Sequence, residues 1–307
     1  MSRLIVRRLA AAVLTVWLVG TAGFLLLELI PGDPARSLAG PSASTRSIEA
    51  IRASYGFDRP FLERYVGAME RLAGGDLGYS FARGEDVTSA LLRSLPGTLL
   101  LTGLAFATEV LIGVPLALWV VSRRGRLADR ALLAAAGATS ALPSFLVGLL
   151  LIYVFAFQLG WFPLGGSSSA AAFVLPVLCL GIPFGLVFAR ILRTSLLEQE
   201  REAYATFARG LGEGEWAIRI RHVLPNALVP LFAVLALNVA ELFSSVAVVE
   251  VVFSIPGLGA DLVTGLRRLD TSLIVGVGLF AGGLVALVNL IADVGVLAAD
   301  PRTRARA

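Results

Sequence analysis

Six stretches of this 307-residue chain are each long and apolar enough to cross a bilayer as a helix: 9–30, 98–121, 131–157, 172–192, 227–253 and 273–299. A hydrocarbon core of about 30 Å requires roughly 20 consecutive apolar residues in helical form. The runs are rich in Leu, Val, Ala, Phe and Gly, as membrane helices are. Composition agrees: 57% of residues are hydrophobic and 16% charged, against about 45–50% and about 25% in a soluble domain. One soluble core of this length cannot hide that excess. The expectation is an all-α membrane protein with six transmembrane helices. The first run follows Arg3, Arg7 and Arg8 and has the flank of a signal peptide. It exceeds the usual apolar length of roughly 7–15 residues, and no small-residue cleavage site precedes Pro31, so it reads as a span.

Arginine placement sets the expected orientation. All 26 basic residues are arginine. With the N-terminus inside, 16 of them fall in inner segments, at the N-terminus, 123–130, Arg190–Arg221 and the C-terminus. The outer segment 31–93 carries eight arginines balanced by eight acids, 158–171 carries none, and Arg267 and Arg268 complete the outer set. Short inner loops are basic and short outer loops are not, which predicts an N-in, C-in topology. The net charge of +4 is therefore a topology signal and does not imply nucleic-acid binding.

The missing lysine excludes a P-loop, Schiff-base chemistry and lysine general bases. One cysteine, Cys179, excludes an intrachain disulfide and a cysteine-built zinc site, and the single histidine, His222, leaves little for any other metal. No catalytic residues and no metal ligands are assigned.

Two inserts interrupt the apolar pattern, dividing the chain into 1–30, the insert 31–93, and a core of five spans over 94–307 with a loop at 193–225. The insert reads as helical at 45–54, capped by Ser44 with Ile48, Ala50 and Ile51 to one side, and again near 61–73. Pro-Gly-Asp-Pro at 31–34 and Gly-Gly-Asp at 74–76 punctuate its ends. Two readings stand: a cap folded on the outer mouth, or a docking surface or gate for an external delivery protein. In the loop, Tyr204, Phe207, Ala208 and Leu211 recur at helical spacing and predict one apolar stripe. Gly212 and Gly214 then break the helix, and a second segment with Trp216, Ile218 and Ile220 is expected to end at Leu224-Pro225. Such a stripe suits either a membrane surface or a partner's groove.

The loop Tyr204-Ala-Thr-Phe-Ala-Arg-Gly-Leu-Gly212, followed by His222-Val-Leu-Pro-Asn226, resembles the signature loop of ABC-importer permeases. Within them the chain resembles the dipeptide, oligopeptide and nickel permease family. The likeness continues through Pro31–Pro34, Tyr55–Asp58, Gly75–Gly78, Leu142–Phe145, Leu159–Pro163, Glu250–Gly259 and Asn289–Asp293 to Asp300-Pro-Arg302, in order along the whole chain. There are departures. Leu211 stands where the family often has a basic residue, and Thr206-Phe207 replaces a strict Glu-Ala-Ala opening. Glu202-Ala203 lies too far from Gly212 to supply that opening, and Asp270-Thr-Ser stands where Asp-Tyr-Pro is frequent.

The resemblance implies a type I ABC importer permease fold in a prokaryotic inner membrane, with the 31–93 insert outside. It implies a second homologous permease subunit, identical or different, two ATPase subunits that hold ATP and Mg, and an external solute-binding protein. The chain itself would carry no cofactor. Peptides are the implied cargo, with nickel or another small solute as alternatives. The loop would be the coupling helix: Phe207 and Leu211 as apolar knobs beside Tyr204 and Ala208, Arg209 at the rim, Gly212 as the tight turn, and Leu224-Pro225 as its anchor. Glu250 would brace the outer turn at Pro256, Gly257 and Gly259.

Acids within apolar spans are costly and ask for a reason. Glu28, near the outer end of span one, reads as reaching the interface. Asn238, Glu241 and Ser245 fall on one face of span five. They read either as lining a translocation path or as a buried helix–helix network, while Glu109 of span two, with no partner within its own helix, reads either as facing that path or as pairing with the companion subunit. Asn289 and Asp293 share a face and read as packing contacts, His222 as a structural contact, and Cys179 as a small buried hydrophobe. The rival of another class is an ion-driven secondary transporter. It would show repeated halves, which spans 1–3 and 4–6 lack, and it gives the signature loop no role.

Overall fold

Helix accounts for nearly all regular structure in the computed structural model. It describes residue 14 and residues 17–25, 32–40, 43–229 and 231–299, with the backbone alone at 232–236 and 289–299. Of the span predicted at 9–30, residues 17–25 are helical, and its ends lie outside the described residues, with Arg3, Arg7, Arg8, Glu28 and Pro31. The side chains of Asn289 and Asp293 and the segment 300–307 also lie outside them.

Among the described residues three helices are long and apolar enough to cross a bilayer: Val87–Val121 with 35 residues, Ala170–Gln199 with 30, and Thr271–Val288 with 18. The last continues as helix to Ala299, and a 22-residue helix, Leu231–Val252, occupies most of the predicted 227–253 span. The run at 131–157 departs from expectation. It is two helices, Leu127–Ala141 and Ser144–Gln158, bent by 100°. Pro143 disfavours helical backbone at the residue before it, and Leu142 is accordingly extended at φ −93°, ψ 126°. From Ile152 to Gln158 the second helix widens into π-type turns.

Two compact units share the chain, 1–98 with 256–286 and 99–255 with 287–307. The first holds most of the insert. Asp33 caps a short helix, Pro34–Ala39, by accepting from the Ala35 amide. Ser44 caps Thr45–Tyr55 through the Ser47 amide, and Phe61–Ala73 follows. Both longer helices fall where the sequence placed them. A two-residue hairpin pairs Tyr79–Ser80 with Glu85–Asp86. Asp270 fastens that hairpin: it is fully buried and accepts from Ser80 Oγ at 2.7 Å and from the Ala82 amide at 2.9 Å. Its other oxygen caps the following helix through the Leu273 amide at 3.1 Å. Arg83 in the hairpin also pairs with the buried Asp261.

Among the described residues the second unit contains two apolar clusters. In one, Phe188, Leu192 and Leu196 pack with Ala205, Ala208, Ile218 and Val223, so the back of the 193–225 loop is part of the core. In the other, Leu101, Cys179, Leu180, Leu242, Val246 and Phe253 meet. Cys179 is buried there, as expected. Two helices approach closely at Gly181 and Gly185. A Cβ at Gly181 would lie 2.5 Å from Thr108 Cγ2, and one at Gly185 would lie 3.2 Å from Ile112 Cβ. Small residues four apart permit such backbone contact in membranes. Near the loop, Arg193 grips the buried Asp129, one of its contacts being Nη2 to Oδ2 at 2.8 Å. The same carboxylate caps the turn at Gly125, whose amide donates to it at 3.0 Å.

Candidate functional site

Three of the four residues expected along a path meet at one cavity of about 340 Å³ in the second unit. Asn238, Glu241 and Ser245 contribute one wall; Leu180, Pro183, Phe184, Val187 and Arg190 contribute another, and residues flanking the Leu142–Pro143 bend a third. Both longer sets follow helical spacing, which puts each on a single face. Pro183 lies inside its helix, where it has no N–H to donate back along the helix. The bend absent from the sequence reading thus helps to form the cavity.

Glu109 does not line this space. It is fully buried, and Asn238 Nδ2 donates to its Oε1 at 3.4 Å. Glu109 Oε2 has no hydrogen-bond partner among the described residues. The two sequence readings therefore divide between residues. Glu241 and Ser245 face the cavity, while Asn238 faces it and also forms the helix–helix contact to Glu109. In the sequence Arg190 reads only as an inner-loop charge. Its distance of seven residues from Pro183 carries the helical signal that could have found it.

The second candidate site is the 193–225 loop. Ala203–Gly210 is helical, and Gly212 takes the left-handed backbone at φ +84° that a tight turn asks of glycine. The single apolar stripe expected here is two. Ala205 and Ala208 are buried and Tyr204 is half-buried, its hydroxyl donating to Gln199 Oε1 at 2.8 Å. Phe207 and Leu211 point away, 68% and 67% exposed, with Trp216 and Ile220 also exposed. Residues four apart form ridges along a helix. Here the core covers the 204–208 ridge and leaves the 207–211 ridge bare.

Six charged or ionisable side chains of the loop pair with one another. Arg209 Nε donates to Glu215 Oε1 at 2.8 Å and its Nη1 to the Glu200 carbonyl at 3.1 Å. Arg219 Nε donates to Glu200 Oε1 at 2.6 Å, and His222 Nε2 lies 3.1 Å from Glu213 Oε2. The hydrogen bond from Arg209 holds the Glu215 carboxyl below its ordinary value of 4.5. Burial is the main cause raising the Tyr204 phenol. The segment after Gly214 does not stop at Leu224-Pro225 as expected. It runs through π-type turns at Arg219–Val223 into the helix Leu224–Leu228. Pro225 sits in the first turn of that helix, where a missing N–H costs little.

The residues expected at an outer rim lie on a sharp turn. Glu250 is fully buried, and its carbonyl accepts from the Ile255 amide at 2.8 Å. Ser254 follows at φ +54°, a region that non-glycine residues seldom adopt. Pro256 is exposed, and Gly257 and Gly259 are buried at the start of the helix Leu258–Arg268. Thr98 Oγ1 accepts from the Leu258 amide at 2.9 Å. Among the described residues, no group of three or more His, Cys, Asp or Glu side chains is placed to hold a metal ion.

Residues 110–305 match the model of the binding-protein-dependent transport system inner membrane component, and residues 1–102 match that of its N-terminal part. The probable peptide ABC transporter permease protein y4tP of Sinorhizobium fredii is 33% identical over 308 residues, covering 98% of both chains. The glutathione transport system permease protein GsiC of Escherichia coli strain K12 is 32% identical over 300 residues, again 98% of both. Among solved structures, the inward-facing methionine ABC transporter MetNI is similar with a TM-score of 0.58 at 23% identity, over 69% of this chain and 97% of that one. An amino acid ABC transporter gives a TM-score of 0.53 at 20% identity, over 68% and 94%. At these identities the structures speak for the fold alone.

Proposed function

This chain belongs to the family of binding-protein-dependent transport system inner membrane components, and from that premise we propose that it forms half of the path of an ATP-driven peptide importer. Six spans cross a prokaryotic inner membrane with both termini inside. The 31–93 insert and the Pro256–Gly259 turn face outward, where a solute-binding protein delivers cargo. A second permease subunit completes the path, and two ATPase subunits, which carry ATP and Mg, bind the 193–225 loop. Peptide cargo is favoured over nickel because the near-full-length relatives are named as peptide and glutathione permeases. Membership in a binding-protein-dependent family also takes away the ground for an ion-driven carrier.

The observation that carries the coupling assignment is the bare ridge of Phe207 and Leu211 on a helix whose other face is core. Large apolar side chains held clear of their own core suit an apolar groove in a partner. Arg209, tied to Glu215 and Glu200, fixes the loop's shape and leaves the contact to the apolar pair. Phe207→Asp places a charge on that ridge without touching the buried face. The expected result is loss of ATPase subunits on co-purification while the permease itself remains folded. Unchanged association together with unchanged ATP-driven uptake overturns the assignment.

A further inference from the structure

We propose that Arg190 and Glu241 read the two charged ends of the cargo, Glu241 facing a free ammonium group and Arg190 a free carboxylate. The inference rests on the path reading above and names what that path selects. Both residues line the same cavity of about 340 Å³, from different helices. That volume is within the range of pockets for small molecules, ~300–1,000 Å³. Arg190 and Glu241 have opposite charges and share one space, yet no ion pair joins them to each other or to another described residue. Elsewhere in the same unit two largely buried arginines do close on partners, Arg193 on Asp129 and Arg219 on Glu200.

Charged side chains within apolar helices persist where they are paired or face a wet cavity. Two such charges held apart in one cavity are complemented by a ligand that brings both opposite charges itself. The guanidinium offers a planar fork that matches a carboxylate in two parallel hydrogen bonds. Asn238 spends its amide N–H on Glu109 and keeps its carbonyl oxygen, an acceptor for a peptide N–H. The remaining wall at Leu180, Phe184 and Val187 is apolar and makes no directional demand on side chains. The site therefore selects for free termini and tolerates variety between them.

The test titrates the assembled permease–ATPase complex, without binding protein, with trialanine, its C-terminal amide and its N-acetyl form. Wild type is expected to bind trialanine most tightly. Arg190→Gln should weaken trialanine about tenfold, the loss of a charge-assisted contact, and leave the amide within about twofold. Glu241→Gln should do the same for trialanine against the N-acetyl form, and Arg190→Lys should retain most of the discrimination. Complex integrity is followed by size-exclusion chromatography. Absence of binding to wild type, equal affinity for all three ligands, or an equal loss of all three in Arg190→Gln overturns the proposal. Uptake of a di- to tetrapeptide mixture into proteoliposomes, with binding protein added, separates the two levels. Import without discrimination in the titration removes the Arg190–Glu241 inference alone, and no import of any peptide by wild type removes the path reading with it.

Discussion

The 193–225 loop and the Asn238–Ser245 cavity are near inverses. In the loop Arg209 closes on Glu215 and Arg219 on Glu200, while the ridge left bare, at Phe207 and Leu211, is apolar. In the cavity Leu180 and Phe184 supply the lining, while Arg190 and Glu241 are the groups held out of ion pairs. An apolar ridge gains free energy only by being covered, so it suits a protein partner of fixed shape. Open charges in a small space suit a ligand that enters and leaves, because each can be satisfied by water in between. What each region leaves unsatisfied is the guide to what it meets.

The largest effect should come from breaking a closed ion pair. Asp129→Ala leaves Arg193, largely buried, without its carboxylate. Removing one partner of a buried pair costs about 3–5 kcal/mol. The expected outcome is a marked fall in thermal stability of the detergent-purified complex, with uptake falling in proportion to folded protein. Next in size is Leu211→Ala. Burying a leucine contributes about 1.5–3 kcal/mol, so ATPase binding should weaken by roughly tenfold or more. Because Leu211 is 67% exposed in the chain alone, the permease's own melting temperature should hardly move. A large drop in stability without weaker ATPase binding would show that the ridge belongs to the core.

Glu241→Ala reads the other side of the comparison. It removes a charge held open in the cavity, so uptake should fall by about tenfold while subunit assembly, followed by co-purification, is retained. Loss of assembly would make Glu241 structural, like Glu109 and Asn238, and would abolish the contrast between the two regions.

Local signals in the sequence were enough for the local features. Ser44 and the residues after it encode a capped helix, and Asn238, Glu241 and Ser245 share a face at any membrane depth; both emerge intact. The bend at Leu142–Pro143 was lost because apolar content averaged over 131–157 passes straight through one proline. Periodicity gave Phe207 and Ala208 to one stripe, since 100° per residue cannot say which flank a neighbouring helix will cover. Arg190 was hidden by its own usefulness as a topology marker. Asp270 and Ser80 are 190 residues apart, and no spacing rule joins partners at such a distance. The Gly181–Gly185 approach acquires meaning only from Thr108 and Ile112 on the facing helix.

The smallest expected effect tests whether the loop's charges are satisfied within the loop, as their geometry implies. Glu215→Gln replaces the carboxylate that pairs with Arg209 by a neutral amide on a half-exposed surface, where an ion pair contributes under about 1 kcal/mol. The sign with pH follows from the lowered carboxyl of Glu215. A group held below its ordinary 4.5 by a folded-state partner stabilises fully above that value and loses the contribution as pH falls through the lowered one. Wild type should therefore exceed Glu215→Gln in thermal stability by a small, constant margin at neutral pH, and the two should converge only in acid below about pH 4.5. ATPase co-purification should stay within about twofold of wild type, because the pair faces its own loop. A loss as large as that of Leu211→Ala would mean that Glu215 or the released Arg209 touches the partner directly, and recognition at the loop would then be charged as well as apolar.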